Sequence, residues 1–256
     1  MANYISSMPL WAIILFILSF LFSLAFIADR TKQAAINAGM TISKARNIQF
    51  GVLGFYIAFL VYVSILSLRG VFNNNSLPPT VVVFCGMPLM AVLFGIIGNT
   101  KLFKKLLQSI TLESLITIHV FRVLGVYFIM LYYYHLLATD FAFSAAVGDI
   151  ITALLAIPVA WMVSKGNAWS IPAVYAWNIL GIVDILATLV IMPVDVRHDI
   201  IAGGHSQREM AVFPFVWFPA FAPATILFLH TVVFRKLIQI KKVNISYRLA
   251  TTTSLK

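Results

Sequence analysis

The stretch MPLWAIILFILSFLFSLAFIA, Met8 to Ala28, contains no charged side chain. About 20 apolar residues in a helix cross the roughly 30 Å of bilayer hydrocarbon. The run is longer than the core of a cleavable signal peptide and no Lys or Arg precedes it, so it is expected to be a retained span. Six further windows follow: about Gln49 to Leu68, Thr80 to Gly98, Leu115 to Leu137, Phe143 to Val163, Ile171 to Met192 and Pro214 to Arg235. The expectation is an all-α, polytopic integral membrane protein of seven transmembrane helices in one domain over residues 1–256, with a basic tail from 236 to 256.

Composition agrees. Apolar residues make up 61% and charged residues 10% of the chain, against about half and a quarter in soluble domains. The mean hydropathy is +0.97. The formal net charge of +10 invites a nucleic-acid reading, and the placement of the charges removes it. Fourteen of the 18 Lys and Arg residues fall in loops one, three and five and in the tail, from Arg30 and Lys32 to Arg248 and Lys256. Lys and Arg in short loops stay on the cytoplasmic side, which puts the N-terminus outside and the C-terminus inside. The tail and the stretch Lys101 to Ile110, with Leu, Phe and Ile between its cations, are expected to lie against anionic lipid headgroups. No nucleic acid is expected as a partner. The lone Cys85 sits in an apolar run and reads as a small buried residue.

Ionisable residues inside a bilayer cost several kcal/mol unless they face a partner or a wet cavity, so they are the default functional candidates. Here they fall on spans four to seven. At about 1.5 Å per residue, His119, Arg122, Asn178 and His230 share an inner layer and Asp149 and Asp184 an outer one. Asp149 shares a helix face with Thr152, Ala153, Ala156 and Ala160, small residues that admit a close neighbour. Pro88, Pro158, Pro219 and Pro223 each remove a backbone donor, and such breaks often line cavities. Phe213, Phe215, Trp217 and Phe218 read as an interfacial aromatic belt. The segment from Asp195 to Met210 reads as an outer loop.

A retinal Schiff base needs a Lys within a span, and none is present. Three zinc ligands at one depth are also lacking, because His135, His198 and His205 fall near or beyond the outer boundary; no metal site is expected. His119 and His230 could serve as axial ligands of haem b from two helices. No C-x-x-C-H, phosphate loop or G-x-S-x-G elbow occurs, and no nucleophile and base pair stands out, so an enzyme is not the preferred reading.

The elements His119-Val120-Phe121-Arg122-Val123-Leu124-Gly125, Gly148-Asp149, Trp177-Asn178-Ile179-Leu180-Gly181-Ile182-Val183-Asp184 and Leu229-His230 resemble a family of uncharacterised bacterial multi-pass inner-membrane proteins over residues 115–240. The resemblance implies a bacterial inner-membrane location and supplies no activity. The functional expectation is a protein that binds or transports a small molecule or ion between helices four and seven, through Arg122, Asp149, Asn178, Asp184 and His230. A haem-binding redox subunit and a non-catalytic scaffold are the alternatives.

Overall fold

A computed structural model describes residues 4–74, 76, 78–201 and 208–253. Among them the regular structure is helical, apart from a single parallel bridge between Ile5 and Phe213. The helices are α1 (Leu10–Asn37), α2 (Ile42–Leu68), α3 (Val82–Asn99), the short α4 (Lys101–Ser109), α5 (Leu112–Tyr133), α6 (Thr139–Ser164), α7 (Ser170–Ile201) and α8 (Trp217–Thr253). All except α4 are long and apolar enough to cross a membrane. Threonines start three of them: the hydroxyls of Thr41, Thr100 and Thr111 accept from the amides of Lys44, Phe103 and Ser114, which satisfies donors left free in a first turn.

Hydropathy locates where apolar sequence ends, and several helices run further. α1 reaches Asn37 and α2 begins at Ile42, so Arg30, Lys32, Lys44 and Arg46 sit on helix rather than in loop. α7 continues to Ile201, so the first part of the expected 195–210 loop is helical. Residues 202–207, with His205, lie outside the described residues, as does the side chain of His198.

α8 is the hub. Within its spanning window 72% of residues are buried, against 22% in α2, and it packs on α2, α3, α4, α5 and α7. This position corrects the aromatic-belt reading: Phe215, Trp217 and Phe218 are buried, because the first turns of α8 are surrounded by other helices. They join Phe16, Phe20, Tyr127 and Phe221 in one cluster, with ring centroids 4.7 Å apart for Phe16 and Phe215 and 5.1 Å for Phe20 and Phe221. Such tilted and edge-on pairs stabilise beyond their buried area.

α3 bends around Pro88. Two wide turns, Val82–Gly86 and Val92–Ile96, flank the segment that holds it, a local rewinding that accommodates the missing donor. At Gly86 a Cβ would stand 3.3 Å from the Pro219 carbonyl oxygen, so α3 and α8 cross in backbone contact there.

The N-terminal segment is laced to the residues just before α8. The Ser6 amide donates to the Phe213 carbonyl at 2.8 Å and the Phe213 amide to the Tyr4 carbonyl at 3.1 Å. Gly70 closes α2 with φ +74°, and the Tyr4 ring lies where its side chain would be. Glu209 is buried in this seam. Its Oε1 accepts from the Ser7 amide at 3.4 Å, and Oε2 has no partner. Burial pushes its carboxyl above the ordinary glutamate value, outweighing the Ser6 hydroxyl, the Ser7 amide and Arg208, which pull it down. A raised folded value means a contribution fully present below the unfolded value of about 4.3 and lost as pH rises through the folded one. Glu209→Gln is therefore expected to raise the melting temperature in detergent at about pH 8, with the gain closing towards about pH 4. A pH series of thermal scans on both proteins checks this.

Candidate functional site

α5 and α8, the two helices with the most buried spanning windows, carry the centre of the polar cluster. In α5 the residues His119–Gly125 form a 3₁₀ segment seven residues long, where runs beyond three or four are uncommon. Three residues per turn stack His119, Arg122 and Gly125 along one line of the helix. An α-helix, turning about 100° per residue, would carry Gly125 well off the face of His119.

The Arg122 side chain has no solvent exposure, and all three of its nitrogens are engaged. Nε donates to Asp149 Oδ1 of α6 at 2.7 Å. Nη2 donates to Asp184 Oδ2 of α7. Nη1 donates to the Gly181 carbonyl at 3.3 Å and meets His230 Nε2 of α8 at 3.1 Å. A guanidinium nitrogen has no lone pair to offer, so His230 Nε2 is the acceptor and its proton sits on Nδ1. Nδ1 then donates to Asn178 Oδ1 at 2.8 Å, and Asn178 Nδ2 donates to the His230 carbonyl at 3.1 Å. His230 is thus a neutral imidazole of defined tautomer.

Asn178, Gly181 and Asp184 lie three apart on α7. Each step of three turns the helix face back by about 60°, so Asn178 meets α8 while Asp184 meets α6. The expected small-residue face of α6 is present: Thr152, Ala153, Ala156 and Ala160 are buried with Asp149. The five residues expected from the sequence, Arg122, Asp149, Asn178, Asp184 and His230, therefore meet in one hydrogen-bonded network. The two depth layers merge because the arginine reaches between them.

Three glycines, not weighed in their own right from the sequence, make the meeting possible. A Cβ on Gly125 of α5 would stand 2.7 Å from that of Asp149 of α6. One on Gly148 of α6 would collide with the Asp184 carboxylate of α7, and one on Gly181 of α7 with the His230 ring of α8. Each helix thus lends the next a gap for its polar side chain. Their places beside Arg122, Asp149 and Asp184 in the sequence were the available signal.

His119 is fully buried, and neither of its ring nitrogens has a partner. Its ring stacks on His230 with centroids 4.1 Å apart and meets Trp177 edge-on at 5.0 Å. Trp177 in turn donates from Nε1 to the Thr152 carbonyl at 2.9 Å. The two imidazoles lie in van der Waals contact and both His230 nitrogens are taken, so axial ligation by the pair would require the rings to separate and the Arg122 and Asn178 contacts to break.

Asp149 also borders a cavity of about 40 Å³ beside Pro219, Pro223, Thr188 and Met210. Pro223 has no amide to give the Pro219 carbonyl. The expected link between proline breaks and a cavity holds for this pair, whereas Pro158 faces outward.

With both carboxylates ionised, one arginine and two aspartates leave one net negative charge around a fully buried Arg122, the two Asp side chains being 12% exposed. Removing one partner of such a buried network costs about 3–5 kcal/mol. Arg122→Gln is expected to lower the melting temperature sharply, and adding Asp149→Asn and Asp184→Asn to it to restore much of the loss, as a thermal-shift series would read. Gly148→Ala and Gly181→Ala are expected to destabilise by about 1–3 kcal/mol through overpacking. Gly54→Ala, where the new methyl meets nothing within 4 Å, is expected to be neutral or to stabilise by up to about 1 kcal/mol.

No curated protein and no solved structure matches the chain. A family model described as Domain of unknown function (DUF8737) matches residues 78–238, which takes in α3 to α7, most of α8 and every residue of the polar network, and the chain belongs to that family.

Proposed function

We propose that this chain is a multi-pass protein of a bacterial inner membrane, N-terminus outside and C-terminus inside, that binds or transports a small solute or ion by exchanging a proton at the Arg122 network. The loop charges support the orientation, and the resemblance of its motifs supports the bacterial origin. The observation that carries the reading is the buried charge imbalance: Arg122 is shared by Asp149 and Asp184, while His119 lies fully buried with both nitrogens free. A site of this kind is neutral only with one more positive charge, and a proton on a carboxylate or on His119 supplies it. Loss of that proton leaves a charge whose relief favours another arrangement of the helices. The cavity beside Asp149 has room for about one water and gives the proton a first step outward. In this reading Arg122 holds the two carboxylates, Asp149 and Asp184 take and release the proton, and Asn178 fixes His230 against the arginine.

Proteoliposomes containing the full chain and a trapped pH dye, given an external acid step, test this. Wild type is expected to admit protons faster than protein-free liposomes, and Asp149→Asn and Asp184→Asn to return the rate to the protein-free level while remaining folded. A wild-type rate equal to that of empty liposomes, or a rate unaffected by both substitutions, would sink the reading. The scaffold alternative predicts changes in melting temperature alone.

A further inference from the structure

A second cavity, of about 400 Å³, lies away from the polar network. Its lining is apolar apart from Thr31, Tyr56 and Thr100. Gly51 and Phe55 of α2, Ile97 of α3, Val232 of α8 and Phe103 and Leu106 of α4 line it, together with residues of α1 and α5. α2 packs against α1 and α8, and α3 packs against α8, so the two helices stand apart with the cavity between them. Its volume is in the range of small-molecule sites, and its apolar lining suits a hydrocarbon.

The chain beside the lining residues of α4, α1 and α2 is strongly basic. Lys101 and Lys104 flank the lining residues Leu102 and Phe103, Arg30 and Lys32 flank the lining Thr31, and Arg46 precedes the lining Ile48. The Arg235 guanidinium lies 5.3 Å from the Phe103 ring centre and donates to the Gly98 carbonyl at 3.0 Å. Against these cations stands Asp29, paired with Lys32 at 3.4 Å. α4 itself begins with Thr100, whose hydroxyl caps the Phe103 amide. An apolar slot bordered by an excess of cations matches a molecule with a hydrocarbon chain and an anionic head.

We propose that one acyl chain of an anionic glycerophospholipid from the surrounding bilayer enters between α2 and α3 and lies in this cavity, with its phosphate among the cations of α4. The site is separate from the proton-exchange reading and stands whether or not that reading holds. The lipid joins α2, the least buried spanning helix, to α3, both of which also pack directly on α8.

Gly51 provides the test. It lines the cavity, and a Cβ there would meet nothing within 4 Å, so a larger side chain can start there without a clash, and Gly51→Phe adds a ring at the slot in a helix that gains from losing a glycine. Full-length protein in detergent is mixed with phosphatidylglycerol or with phosphatidylcholine and examined by native mass spectrometry. Wild type is expected to retain one phosphatidylglycerol molecule at collision energies that strip phosphatidylcholine. Gly51→Phe is expected to lose that adduct, and Lys101→Gln with Lys104→Gln to lose the preference for phosphatidylglycerol. Equal retention of the two lipids by wild type, or an adduct unchanged in Gly51→Phe, would overturn the proposal. Circular dichroism of each variant separates loss of the lipid from loss of the fold.

Discussion

The guanidinium of Arg122 is a planar cation with donors on two edges, and it sits where four helices meet. One edge faces Asp149 of α6, and the other faces Asp184 of α7, the Gly181 carbonyl and His230 of α8. A buried charge has strict requirements: every donor wants an acceptor, and the acceptors must arrive from directions set by the fork of the group. Satisfying them fixes the rotation of α6, α7 and α8 about their own axes and their heights relative to α5. Apolar packing between such helices is less selective, since one apolar side chain contacts another in many registers. The ion network is therefore the register mark of this half of the bundle.

The glycines at 125, 148 and 181 show how the mark is read. Each polar side chain needs space at the surface of the preceding helix, and the gap is placed one helix back in chain order, so that α5 admits α6, α6 admits α7 and α7 admits α8. The 3₁₀ stretch of α5 belongs to the same device, because it brings Gly125 into line with Arg122 and His119. Backbone and side chain are thus matched residue by residue along a diagonal of the bundle.

Much of this was legible in the sequence, for physical reasons. Seven spans could be read because lipid demands about 20 apolar residues per crossing, and Arg122, Asp149 and Asp184 could be read because charge in such runs is conspicuous. What escaped depends on neighbours. Phe215, Trp217 and Phe218 have the composition of a belt, and only the central position of α8 makes them core. The extension of α7 past Met192 escaped because a helix in water carries no apolar signature. Gly148 and Gly181 could be noticed as motif letters, but their role requires knowing which side chain arrives opposite.

The seam between the N-terminal segment and the residues before α8 joins parts of the chain about 200 positions apart, as the contact of Ser7 with Glu209 shows. During synthesis the first helix is made long before the last one exists. Until then the backbone of Tyr4 and Ser6 lacks its Phe213 partner, and the Phe16 and Phe20 rings of α1 lack Phe215, Trp217, Phe218 and Phe221. A chain that stops short of α8 keeps both exposed, whereas a finished one hides them together. The seam therefore distinguishes complete from incomplete molecules, and a protease that attacks open N-terminal segments would clear truncated chains and spare the finished protein.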